Sequence, residues 1–235
     1  MEKLINKLAD QQRREGGFTL IEMALVLVII GLVLGAVSIG KDLQRNAEYK
    51  RIVNKFIAQW GQAYNQYYER TGVVLLDSQS APSGKVGGTT GSVAASAAVA
   101  EMRKYGIRMP TGSGQSTAAA GDTAVTTAGS DESSYLYLDQ SGIPHALQVS
   151  FTYGSAASTV SGIMAGNMMK IINMVPTLVS TMDQIIDGRV DATNGVVRYA
   201  GLDWDTTNTA AGSANQVNAT ERLETVTDVY WKMNQ

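Results

Sequence analysis

The stretch REGGFTLIEMALVLVIIGLVLGAVSIGK, Arg14 to Lys41, decides how the chain is built. From Met23 to Gly40 no residue is ionisable, and those 18 residues would span about 27 Å as a helix, close to the hydrocarbon thickness of a bilayer. Apolar residues occupy every face of that helix rather than one stripe, so a membrane segment is favoured over a buried core helix. Glu22 stands at the head of the run. A lone carboxylate in hydrocarbon costs about 2.5–3.5 kcal/mol on insertion scales, so a residue of this kind calls for a partner.

Two other readings of the stretch are weaker. Ala36-Val37-Ser38 has the small-x-small form of a secretory cleavage site. The apolar run exceeds the roughly 7–15 residues of a signal-peptide core, however, and Glu22 lies inside its start. Gly35 to Lys41 imitates a phosphate-binding loop up to its last position, where Asp42 replaces the hydroxyl that would hold magnesium. No strand precedes it, and the match is chance.

Gly17-Phe18-Thr19-Leu20-Ile21-Glu22 ahead of an apolar run resembles the processing site of type IV pilins and of the pseudopilins of type II secretion. The resemblance implies cleavage after Gly17 by prepilin peptidase and N-methylation of the new Phe18 terminus. It implies that Glu22 pairs with the terminal amine of a neighbouring subunit as it enters a helical filament, setting register. Breaking a buried pair of that kind typically costs about 3–5 kcal/mol. The implied partners are other copies of this chain or related pilins, the inner-membrane assembly machinery and the membrane itself. The implied location is the bacterial inner membrane for the single-pass precursor, then a filament in the periplasm or at the cell surface. Lys3, Lys7, Arg13 and Arg14 precede the span and Lys41, Arg45, Lys50, Arg51 and Lys55 follow it, so charge asymmetry does not orient it.

Bulk composition narrows the remaining function classes. The 235 residues carry a net charge of −2, with 17% charged residues, one His and three Phe. That balance argues against a nucleic-acid surface and against a histidine-based metal site. Cysteine is absent, so neither disulfides nor thiolate chemistry operate, and an exported head must hold together by packing or a bound ion.

Beyond the span, Ile52, Phe56, Trp60, Ala63 and Tyr67 recur at spacings of three and four, one face of a helix that Thr71-Gly72 should end. The expected organisation is a leader over 1–17, the membrane and filament-core half of a long helix over 18–40, and an exported head over 41–235. Residues 77–134 are rich in Gly, Ala, Ser and Thr and read largely as loop, with a short helix between Val93 and Tyr105. Ser133–Asp139 and His145–Gly154 alternate on either side of Gln140-Ser141-Gly142, a hairpin pattern. Ser158–Ile172 and Pro176–Ile186 read as helices, the second with proline in its first turn. Gly195–Gly201 reads as a strand. Asn218–Met233 opens with Asn218 and Glu221 in capping-box spacing and reads as a closing helix that buries Leu223, Val226 and Tyr230, with Met233 next on the same face. The fold class is α+β: a long N-terminal helix packed on a head with a small antiparallel sheet.

Chemistry-bearing residues are few. His145 lacks a nucleophile in a G-x-S-x-G turn and reads as structural. Met164, Met168, Met169 and Met174 read as core filling at helical spacing. Asp183, Asp187, Asp191 and Asn194 supply hard oxygens of the kind calcium takes, although not at EF-hand spacing. The passage also resembles a helix–Asp-Gly–loop–Gly–strand segment of some prepilin-like proteins. Asp187-Gly188 and Asn194-Gly195 are equally ordinary turn formers, the preferred reading. A subunit with structural work and no catalytic residues is the expectation. Adhesion, motility, DNA uptake and extrusion of secreted proteins are all compatible with it, for a major pilin, minor pilin or pseudopilin. The rival is a membrane-anchored or secreted enzyme or binding domain, which would need acids converging in a cleft near Asp183 or Asp203-Asp205.

Overall fold

A computed structural model of the chain describes residues 17–113, 122–123, 130–155, 164–191, 194–199 and 226–233. The chain divides into two compact units, Met1–Gln44 and Arg45–Gln235. In the first, helix α1 (Leu20–Ile52) begins with the apolar run, and the side chains of that run are exposed on every face. The run has a mean hydropathy of 2.8 over its most apolar window and none of that window is buried. By length and composition this helix can cross a membrane.

In the second unit the same helical stretch carries the core. A single wide turn at Val53–Ile57 separates α1 from α2 (Ala58–Thr71). Ile52, Phe56, Trp60, Ala63 and Tyr67 are all buried, as their spacing requires. Gly72 closes α2 in the left-handed conformation (φ 72°), donating its N–H to the Tyr68 carbonyl at 2.8 Å, a conformation glycine adopts without a Cβ penalty.

The sheet completes the core. Its strands are β1 (Ser92–Val93), β2 (Ser134–Leu138), β3 (Pro144–Gly154), β4 (Gly166–Met174), β5 (Val197–Tyr199) and β6 (Thr227–Lys232). All pairings are antiparallel, in the order β1-β3-β4-β6-β5, with β2 also on β3. Gln148 of β3 faces both Ser134 and Ile172, and Phe151 faces both Val93 and Met169. Strands β1 and β2 therefore share one edge of β3, and β4 takes the other. Helix α3 (Ala95–Lys104), a short turn α4 (Ser130–Ser133) and α5 (Pro176–Ile186) join these strands.

Aromatic rings hold helix to sheet. Phe151 lies between Trp60 (5.9 Å, tilted) and Tyr64 (5.3 Å, stacked), and Tyr49 meets Tyr137 edge-on at 6.2 Å. Such pairs contribute about 0.5–1.5 kcal/mol each beyond the area they bury. Gly61 lets α2 approach β6: a Cβ there would lie 2.8 Å from the Trp231 ring.

The 134–154 hairpin, α3, α5 and the strand at Val197–Tyr199 lie where the sequence pattern places them. Two elements do not. The expected helix over Ser158–Ile172 is, where described, strand β4; residues 158–163 lie outside the described residues. β4 is central and covered on both faces, so its apolar residues run on without alternating, and an uninterrupted run does not separate strand from helix. Met169 and Met174 accordingly join the main core while Met168 packs with Met164 and Tyr230 in a second cluster. The methionines do fill the core, but at strand spacing.

The expected closing helix is strand β6, with 218–225, including the Asn218–Glu221 capping box and Leu223, outside the described residues. Val226, Tyr230 and Met233 happen to sit at helical spacing. Yet Val229 and Trp231 face the main core while Asp228 and Tyr230 meet Lys170 and Met168 on the other face. That is period two.

Candidate functional site

The head of α1 is the first candidate. Thr19 precedes the helix, and its carbonyl accepts the first helical bond, from Met23 N–H at 3.2 Å. Its own N–H and hydroxyl both donate to Glu22 Oε2, at 2.7 and 2.9 Å, while Glu22 N–H donates to Thr19 Oγ1 at 3.2 Å. This is a reciprocal capping box. It draws the carboxylate back over the helix N-terminus, toward the Phe18–Thr19 peptide and away from the apolar faces. An anion there also meets the positive end of the helix dipole. Phe18 is 79% exposed, and a Cβ on Gly17 would touch nothing. The Gly17–Phe18 bond is therefore open to another protein. Thr19 escaped the sequence reading, although Thr-x-x-Glu was there to be seen.

The acidic segment after α5 is the second candidate. Asp183 Oδ2 accepts Asp191 N–H at 2.8 Å. Asp187 Oδ2 accepts the N–H groups of Val196 and Val197 at 3.0 and 2.9 Å, and Asp191 Oδ1 accepts Asn194 N–H. The carboxylates serve as caps for the turn that leads into β5. Gly195 sits at φ 84° with its α-carbon so close to Asp187 that a Cβ would fall 2.2 Å from Oδ2. Asp183 is fully buried, its Oδ1 has no hydrogen-bond partner by distance and angle among the described residues, and burial, with Asp187 and Asp191 nearby, pushes its pKa up to about 7. Among the described residues no group of three or more His, Cys, Asp or Glu side chains is placed to hold a metal.

His145, on β3, is buried between two acids. Its Nδ1 lies 2.9 Å from Asp122 Oδ1 and its Nε2 3.6 Å from Asp139 Oδ2. Asp139 in turn caps the β2–β3 turn by accepting Ile143 N–H at 2.7 Å. The neighbouring Tyr137 hydroxyl donates to the Asn173 carbonyl at 2.8 Å and accepts Val175 N–H at 2.9 Å. Asn173 has φ 59° at the irregularity in β4, and its amide binds Thr123 and Ala146. Each of these groups ties one segment of the head to another. Cavities of about 620 and 420 Å3 open elsewhere, beside Arg51 and Gln62, and neither is lined by His145 or Asp183. Asp203 and Asp205 lie outside the described residues.

Among known families, the prokaryotic N-terminal methylation motif matches residues 12–38. This is the prepilin signature of type IV pilins and pseudopilins, and it supports a type IV pilin-like precursor subject to prepilin processing. No curated protein and no solved structure matches the chain.

Proposed function

We propose that this chain, which carries the prepilin signature at residues 12–38, is a structural subunit of a type IV pilus-like filament. Prepilin peptidase cuts after Gly17, Phe18 becomes the methylated terminus, and the subunit polymerises through its N-terminal helix. The observation that carries this reading is the pairing of two features at one place. An apolar helical run that no described residue covers begins at Leu20, and a carboxylate folded back over its first turn stands at Glu22. A membrane covers the first before assembly, and neighbouring helices cover it afterwards. The precursor resides in the inner membrane, and the filament extends from it. The head does structural work, and its polar clusters tie segments together.

The mass of the mature N-terminal peptide tests the proposal. It should correspond to a chain that begins at N-methylated Phe18, and Gly17→Glu should leave the leader attached and the protein unassembled in the membrane. A mature terminus at Ile39 would replace this reading with that of a secreted protein released by an ordinary signal peptidase.

A further inference from the structure

The helical face next to the core face has no role in the filament reading. Glu48, Arg51, Lys55, Gln59, Gln62 and Gln66 each stand one position before a buried residue, so packing of the core face aims them along one line. From Glu48 to Gln66 that line is about 27 Å long. The segment from Arg108 to Ser113 forms the opposite wall. It is fixed to β2 by Ser113 N–H on the Ser134 carbonyl at 2.9 Å and by Leu136 N–H on Ser113 Oγ. Between the walls lie the two cavities, of about 620 and 420 Å3, which share Gln59 and Thr111 as lining residues and so adjoin.

We propose that this groove binds an acidic polysaccharide, a chain of hydroxyl-bearing sugars with carboxylates at intervals. Arg51, Lys55 and Arg108 are exposed in it, and among the described residues none of them is ion-paired. The Arg51 guanidinium donates to the Tyr135 hydroxyl at 2.5 Å, which orients it at the groove wall. Guanidinium and ammonium groups bind carboxylates by charge-assisted hydrogen bonds. The three glutamines are also exposed, and each amide both donates and accepts, as a hydroxyl-rich ligand requires. Nucleic acid fits less well. It presents a phosphate at every nucleotide and is bound by dense cations and stacking rings, whereas here three cations share the groove with Glu48, the Phe56 ring is buried, and the half-buried Tyr135 ring packs on Phe56 at 5.3 Å with its hydroxyl on Arg51. The proposal does not depend on processing or polymerisation.

Binding of the full chain in non-ionic detergent to immobilised polygalacturonate, dextran and oligothymidylate tests it. Polygalacturonate should bind, more weakly as salt rises, and dextran should not. Lys55→Gln with Arg108→Gln should lower the affinity at least about tenfold, the loss of roughly 1.4 kcal/mol. Gln59→Ala with Gln62→Ala should lower it several-fold without changing charge. Lys85→Gln, a cation outside the groove, should leave it unchanged. All these side chains are exposed, so unchanged melting temperatures should accompany the losses. Failure to bind polygalacturonate, equal binding of dextran, tighter binding of oligothymidylate, or groove variants that bind like the parent would each overturn the proposal.

Discussion

On the proposed function, the Glu22 carboxylate would face opposite demands before and after assembly. In a membrane its charge would be costly, and the Thr19 N–H and hydroxyl, which donate to Oε2, would offset part of that cost. In a filament the same oxygen would meet a neighbour's terminal amine. Glu22→Ala removes the charge, so membrane residence should be kept or improved, while incorporation into sheared filaments should fall sharply. Normal incorporation of the Ala variant would show that this carboxylate does not set register. Thr19→Val keeps the shape and removes the hydroxyl. It should cost the helix start about 1 kcal/mol and reduce assembly less than Glu22→Ala does, measured in the same shearing assay. The Thr-x-x-Glu spacing that makes this cap is local and legible in the sequence. The burial of His145 between Asp122 and Asp139 is not: Asp139 belongs to the same hairpin, but Asp122 approaches from a separate segment.

Among the elements, α2 and β6 show how tightly helix and sheet are joined. Gly61 stands against the Trp231 ring, with Val197 paired to Trp231 on the neighbouring strand. Gly61→Ala gains helix propensity but drives a methyl into the indole. Overpacking of that kind costs about 1–3 kcal/mol. A lower melting midpoint is expected, with recovery when Trp231→Phe is added. A rise in the midpoint for Gly61→Ala alone would mean that the ring moves aside freely. The hairpin of β2 and β3 was legible because each strand alternates over a polar turn. β4 and β6 were not, because β4 is covered on both faces and β6 carries apolar residues on both of its own.

For the head as a whole, the acidic turn predicts how stability varies with pH. Asp183 holds its proton up to about pH 7 when folded and releases it near its ordinary value of 3.8 when unfolded. Between those values the folded state binds more protons, so this group makes stability fall as pH rises through the window, with the full penalty present above it. In chelator, Asp183→Asn should melt above the parent at pH 8, by about 1–2 kcal/mol after solvent screening. The gap should close toward pH 4. A constant gap would mean that the carboxyl does not titrate in this range. We propose further that the turn works without calcium. The parent should then melt identically in millimolar calcium and in chelator. Calcium-dependent stabilisation abolished by Asp187→Ala would instead make Asp183, Asp187, Asp191 and Asn194 a cation site.

What the sequence by itself determined is whatever depends on neighbours along the chain. The apolar run, the Gly17-Phe18 junction, the helical core face from Ile52 to Tyr67 and the proline at the start of α5 all repeat or occur at short fixed spacings. Backbone geometry converts such spacings directly into faces and caps. Tertiary structure alone decided what depends on neighbours across the chain. It made β4 a central strand, placed Trp231 against Gly61, turned the carboxylates of Asp183, Asp187 and Asp191 onto backbone N–H groups, and brought Arg108 to the cavity lined by Gln59, Gln62 and Gln66. The reason is that a side chain's burial, charge state and partners are set by segments that only the folded sheet brings together.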